Sequence, residues 1–244
     1  MAHSWTGKSY WLVGASEGLG RALAHELSDA GVRLCLSARN GERLTELAKE
    51  LPGETVIAPC DVRDTASVAA AAASLPEFDG VIVNAGVYEP VSATDWQADA
   101  VEAICDVNFT GTARVLGQAV PHLIARGGGH IALIGSLAAW RGLPKAIGYA
   151  ASKAGVLSLA ECIRIDLPRP AFKVQVINPG FIETRLTAKN DFAMPHLMSA
   201  AQAAEHVRKA MEGTRFRTDF PTAFAWRFRL AQFLPDALYF RVFG

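Results

Sequence analysis

Tyr149 and Lys153 stand four residues apart in Tyr149-Ala150-Ala151-Ser152-Lys153, so on a helix both side chains share one face. A free phenol, with a pKa near ~10, is a poor base at neutral pH. An ammonium beside it stabilises the phenolate and draws the phenol toward the working range, which suits proton exchange with a substrate oxygen. Taken singly the pair is a coincidence that many helices contain. Ser136 changes this, because it follows Ile131-Ala132-Leu133-Ile134-Gly135, the end of a strand-like apolar run. Ligands collect at such carboxyl ends, and a hydroxyl there could hold a carbonyl oxygen next to Tyr149.

A second group of residues suggests what reacts with that carbonyl. Gly14-Ala15-Ser16-Glu17-Gly18-Leu19-Gly20 lies between an apolar run and a helix-like segment. Glycines let the chain turn sharply and approach a pyrophosphate, which rests on free N–H groups at the helix start. Gly14, Ser16, Glu17, Gly18, Leu19 and Gly20 are therefore expected to hold a dinucleotide; a tight turn without a ligand is the alternative. The second run ends Leu36-Ser37-Ala38-Arg39-Asn40 and lacks the acid that would bind ribose hydroxyls. Arg39 can pair with a 2′-phosphate, Ser37 is small enough to leave room for it, and Arg43 lies one helical turn further on. An exposed arginine at a helix start is the alternative for Arg39, and the better one for Arg43. The pattern favours NADP(H) over NAD(H), with Glu17 a mild counterweight.

These residues need elements to carry them. Apolar runs at 10–13, 32–36, 55–57, 80–83, 131–134 and 174–177 alternate with helix-like segments near 19–30, 41–51, 64–75, 95–125 and 149–167. Gly31 is placed as a helix-terminating glycine. Because the runs are continuous and not alternating, both faces of the sheet are covered. The expected fold is α/β: a doubly wound, Rossmann-type parallel sheet with helices on both faces, as one domain over residues 1–244. Lys plus Arg equals Asp plus Glu, 24 each, so no field draws the chain to nucleic acid. No apolar stretch is long enough for a transmembrane helix, and residues 1–8 lack a secretory signal core. Cys35, Cys60, Cys105 and Cys162 are scattered without zinc spacing, as expected of reduced packing residues in a cytoplasmic protein.

Val13-Gly14-Ala15-Ser16-Glu17-Gly18-Leu19-Gly20, with Gly-xxx-Gly-x-Gly spacing, resembles the cofactor loop of the short-chain dehydrogenase/reductase family. Val13 stands where the family usually has Thr, which removes a side-chain hydrogen bond but leaves the glycines intact. The resemblance continues in family order to about residue 185. Asp61-Val62 occupies the adenine position, though a helix N-cap acid is also compatible. Asn84-Ala85-Gly86 resembles the Asn-Asn-Ala-Gly element, with Val83 replacing the first Asn. Asn108, in Asp106-Val107-Asn108-Phe109-Thr110-Gly111, matches the Asn that perturbs its helix and supports a water chain to the lysine. The Ser136-to-Tyr149 interval also matches. Asn178-Pro179-Gly180-Phe181-Ile182-Glu183-Thr184 resembles the loop beside the nicotinamide, with Ile182 backbone and Thr184 as the carboxamide contacts.

The resemblance implies an NADP(H)-dependent oxidoreductase interconverting a carbonyl and a secondary alcohol. Ser136 and Tyr149 would bind the carbonyl and Tyr149 would deliver the proton. Lys153 would tune Tyr149, bind the nicotinamide ribose and be reprotonated through water near Asn108. A non-catalytic NADP(H) sensor on the same fold is the alternative; an epimerase or dehydratase fits less well. Residues 86–95, 137–148 and 185–200 should select the small-molecule substrate, with 186–200 as a lid of apolar inner face and His196 on its surface. Trp140, Tyr88 and Trp96 are candidates for a pocket or for packing. Nine of the 21 aromatics fall between Phe216 and Phe243, among five arginines, in an extension over 215–244. Its helix over 222–234 is apolar in most directions and needs burial, against the domain or another subunit in preference to a membrane surface. That segment suggests an apolar or lipid-like substrate; a homodimer or homotetramer is expected.

Overall fold

The structure, a computed structural model, describes residues 5–189 and 191–243; Met1–Ser4, Asn190 and Gly244 lie outside it. Seven strands form one parallel sheet in the order β3-β2-β1-β4-β5-β6-β7: β1 (Ser9–Val13), β2 (Arg33–Ser37), β3 (Thr55–Ile57), β4 (Gly80–Val83), β5 (Gly129–Ile134), β6 (Phe172–Pro179) and β7 (Arg217–Phe220). Alternate residues of each strand point to opposite faces, and both faces are covered. Tyr10, Leu12, Leu34, Leu36, Ile82 and Ile134 join one core with α1 (Gly18–Asp29), α2 (Gly41–Glu50) and α7 (Ala200–Glu212). Trp11, Val13, Val81, Val83, Ile131 and Leu133 join the other with α3 (Thr65–Ser74), α5 (Gly111–Ala125) and α6 (Ile147–Asp166). This accounts for the continuous apolar runs. Gly31, at φ 90°, follows α1 as expected.

Four features differ from the sequence expectation. The single helix expected over 95–125 is α4 (Ala98–Cys105), a π-helical turn (Asp106–Thr110) and α5. The polar edge strand β7 was not expected, because Arg217-Thr218-Asp219-Phe220 is not an apolar run. Helix α7 was not expected either, although its start carries a capping box from Ser199 and Gln202. The aromatic tail forms two helices, α8 (Thr222–Ala231) and α9 (Asp236–Phe243). All four cysteines are free, Cys35 and Cys60 buried and Cys162 exposed. Among the described residues no helix is long and apolar enough to cross a membrane.

The sheet reverses its winding between β1 and β4, where the chain leaves toward opposite sides and a crevice opens at the carboxyl ends.

Candidate active site

That crevice is a cavity of about 1160 Å³, and nearly every residue singled out from the sequence lines it. Its floor is the β1–α1 loop. Gly14 has φ 89°, and a Cβ there would sit 2.5 Å from the Ala85 nitrogen; a Cβ on Gly20 would lie 1.9 Å from the Gly14 carbonyl oxygen. These close approaches, with Asn84 Nδ2 donating to the Gly14 carbonyl at 2.8 Å, pack the loop against the end of β4. Gly14, Ser16, Glu17, Gly18 and Leu19 face the cavity, whereas Gly20 lies behind the wall and serves packing. The N-terminus of α1 has no side-chain cap, so its first N–H groups are left for an anion, as a pyrophosphate site requires.

Arg39 lies exposed on the cavity wall and, among the described residues, makes no hydrogen bond or ion pair. Arg43 also lines the cavity, but its Nη1 donates to Glu17 Oε2 at 3.0 Å, and Arg185 pairs with the other Glu17 oxygen. Ser37 does not make room for a phosphate. It is fully buried, its hydroxyl donating to the Ala58 carbonyl at 2.5 Å and accepting from Trp11 Nε1 at 2.9 Å. Its side chain points to the sheet face that carries Trp11 and Cys35, into the core and not toward the cleft.

Asp61 and Val62 line one end of the cleft. The carboxyl of Asp61 is lowered from its ordinary value, chiefly by its side-chain hydrogen bonds to Arg63. It does not cap α3; Asp64 does, accepting from the Ala66 N–H. At the other end Asn84, Ala85, Gly86, Pro179, Gly180, Ile182 and Thr184 all line the cavity. The post-β6 loop is braced by Thr187, whose hydroxyl donates toward the Ile182 carbonyl at 2.6 Å and accepts from the Thr184 N–H at 3.0 Å.

Between these ends Ser136, Tyr149 and Lys153 converge on one wall. Ser136 caps a short turn after β5, accepting from the Ala138 N–H at 3.1 Å. Burial raises the Tyr149 phenol, and the facing Ser136 hydroxyl partly opposes that rise. Burial lowers Lys153 to about 8. Its ammonium donates to the Ile134 carbonyl at 2.8 Å and sits 5.9 Å from the centre of the Tyr149 ring. The expected lowering of the phenol by the lysine is thus not what dominates: desolvation does, and Tyr149 is held as an acid at neutral pH.

Asn108 is fully buried inside the π-turn and does not face the cavity. Its Oδ1 accepts from the Val87 N–H at 2.7 Å, while Nδ2 donates to the Val87 carbonyl at 3.0 Å and to Ser152 Oγ at 3.1 Å. It thereby pins the β4 exit loop to α6 next to Lys153. Sequence reasoning gave no role to Ser152 or to the Ile134 carbonyl, and held Arg185 and Thr187 only as members of the substrate-selecting segment 185–200. Only Ser152 carried a signal, from its place inside the Tyr149–Lys153 segment.

All three substrate segments contribute to the cavity, through Tyr88, Leu143 and Phe192 among others, and Tyr88 packs edge-on against Tyr149 at 5.2 Å. Trp96 is exposed and outside it; Trp140 lines a neighbouring groove and stacks under Arg217 at 3.9 Å. His196 is exposed, away from the reactive wall. Ion pairs tie residues 185–191 to three neighbouring loops: Arg185 to Glu17, Lys189 to Glu89, and Asp191 to Lys145, the last at 2.6 Å.

Residues 8–194 match the family model for short chain dehydrogenases. A protein of Myxococcus xanthus described as an uncharacterized oxidoreductase is 34% identical over 235 residues, 93% of each chain. Dehydrogenase/reductase SDR family member 7B of Bos taurus is 33% identical over 72% of this chain and 58% of its own. The crystal structure of a short chain dehydrogenase from Burkholderia cenocepacia in complex with NADP superposes with a TM-score of 0.88 at 25% identity, covering 99% of this chain and all of the other.

Proposed function

The chain belongs to the short-chain dehydrogenase/reductase family, and from that premise we propose that it is an NADP(H)-dependent oxidoreductase interconverting a carbonyl and a secondary alcohol on an apolar substrate. The observation that carries this reading is the convergence of Ser136, Tyr149 and buried Lys153 on the wall of a cavity floored by an uncapped helix N-terminus. The residues suit a dinucleotide: the α1 N–H groups for its pyrophosphate, and Asp61 and Val62 for its adenine. Lys153, Gly180, Ile182 and Thr184 would take the nicotinamide end. The choice of NADP(H) rests on Arg39, an exposed guanidinium with no hydrogen-bonded partner among the described residues, where an acid would serve NAD(H). The Burkholderia relative's complex with NADP is in keeping with it.

When bound, the nicotinamide supplies or accepts the hydride. The Ser136 and Tyr149 hydroxyls donate to the substrate carbonyl oxygen and polarise it. As that oxygen gains charge, Tyr149, held protonated by burial, gives up its proton. The Lys153 ammonium stabilises the resulting phenolate, and Asn108 holds the Val87 and Ser152 segments around the lysine where water can return the proton. A non-catalytic sensor on this fold would not need this complete set.

A panel of carbonyl compounds followed by NADPH absorbance, with NADH in parallel, tests the reading. Tyr149→Phe should abolish turnover while leaving NADPH binding nearly intact; normal turnover in that variant would sink the assignment.

A further inference from the structure

The tail helices bury only one side. Phe224, Ala225, Ala231 and Tyr239 pack inward, while Trp226, Leu230, Phe233, Leu238, Phe240 and Val242 are exposed, Phe233 at 79% and Phe240 at 66%. Trp226 and Leu230, four residues apart, form one stripe of α8, with exposed Arg227 beside it, and exposed Phe233 follows in the turn just after the helix. In α9, exposed Arg241 lies next to Val242, three residues after Leu238. So many large apolar side chains in one short segment call for a partner.

The charges say which partner. Among the described residues Arg227 and Arg241 have no ion pair, whereas Arg229 is committed to buried Asp219 and the acid Asp236 to Arg141. A second copy docked across a two-fold axis would bring this surface against itself. The second copy would offer the arginines no acid from this face, because Asp236, the one carboxylate of α8 and α9, is already paired with Arg141. An anionic bilayer supplies both what the apolar stripe and what the arginines lack, and a tryptophan suits its interface.

We propose that α8 and α9 dock this protein on the surface of an anionic membrane. The segment is rigidly joined to the active-site wall. Arg141, in the loop after Ser136, donates to the Leu234 carbonyl at 2.8 Å and stacks on Tyr239 at 3.9 Å, while the Tyr239 hydroxyl donates to the Gly142 carbonyl. Phe224, Phe228 and Phe243 of the same helices line the cavity. An apolar substrate dissolved in the bilayer would therefore enter beside the docked face. That last step rests on the oxidoreductase reading; the docking itself does not.

The test is co-sedimentation of the full chain with vesicles of phosphatidylcholine alone and of phosphatidylcholine mixed with phosphatidylglycerol, at low and high salt. Binding should require the anionic lipid and weaken with salt. Leu230→Asp and Phe233→Asp, at exposed positions, should each abolish it, and Arg227→Ala or Arg241→Ala should weaken it about fivefold each. NADPH binding in all four variants should be unchanged, which checks the fold and is independent of the vesicle result. No sedimentation with either vesicle overturns the proposal, and so does equal binding to both. So does an oligomer in solution that Phe233→Asp dissociates, since that would make the face a contact between copies of this chain.

Discussion

Replacing Lys153 with Met should remove a rise in stability that the parent protein shows between about pH 8 and pH 10.5. Burial holds the ammonium down to about 8 from 10.5. At about 1.4 kcal/mol per pH unit, the gap between 10.5 and about 8 means roughly 3 kcal/mol of penalty carried by the native state wherever the lysine is charged. Between those two values the unfolded chain holds more protons than the folded one. Stability therefore rises with pH across that window; as pH falls from 10.5 the gain is lost, fully so below about 8, where the slope ends. Methionine has no such slope. It does lose the bond to the Ile134 carbonyl, a cost of about 1–3 kcal/mol that does not depend on pH. The sign of the net effect at pH 7 is thus a contest between comparable numbers, but the slope is not. Urea unfolding of both proteins, below pH 8 and above pH 10.5, should show the variant losing about 3 kcal/mol relative to the parent between the two conditions. Stability differences that stay parallel across that window would refute the argument that this lysine is held charged against desolvation.

Three further outcomes are expected. Catalytic efficiency in the reducing direction should fall as pH rises through about 8, where Lys153 loses its charge; a profile flat across that pH would mean the ammonium is dispensable. Arg39→Ala should raise the KM for NADPH about 10- to 100-fold, the worth of a charge-assisted hydrogen bond, without touching NADH; an equal effect on both cofactors would remove the arginine from the 2′-phosphate. Gly20→Ala puts a methyl 1.9 Å from the Gly14 carbonyl and 2.6 Å from Asn84 Nδ2. It should cost about 3 kcal/mol or more and lower Tm by several degrees; an unchanged melting curve would show that the loop yields freely.

Most of the architecture was legible because a parallel sheet covered on both faces writes its strands as unbroken apolar runs, as Trp11-Leu12-Val13 and Val81-Ile82-Val83 do. The same rule hides β7, an edge strand whose Arg217 and Thr218 are partly exposed. Helix α7 is hard to read because its buried stripe is mostly alanine, at Ala203, Ala204 and Ala210, which marks an apolar face only weakly. The reactive residues were readable because chemistry restricts their types and spacing. Ser37 differs for a reason of direction: residue type says that a serine is small, but only the strand's alternation says that this one points to the Trp11 face and into the core. The proton balance of Tyr149 was not readable either, since it depends on how deeply the phenol is buried, which its four-residue distance from Lys153 does not encode.

The π-turn at Asp106–Thr110 has a consequence for how the whole rod from Ala98 to Ala125 is assembled. One extra residue in a single turn advances the winding by about 100°, so the two halves present different sides to the molecule. Upstream, α4 packs on α6; downstream, α5 turns Val115, Leu116, Ala119 and Leu123 toward the sheet and packs with α3. The extra residue acts as a phase shifter that lets one continuous helix serve two neighbours. Deleting any one residue between 106 and 110 would straighten the rod and misalign one half by a quarter turn or more, however well the deleted side chain itself could be spared.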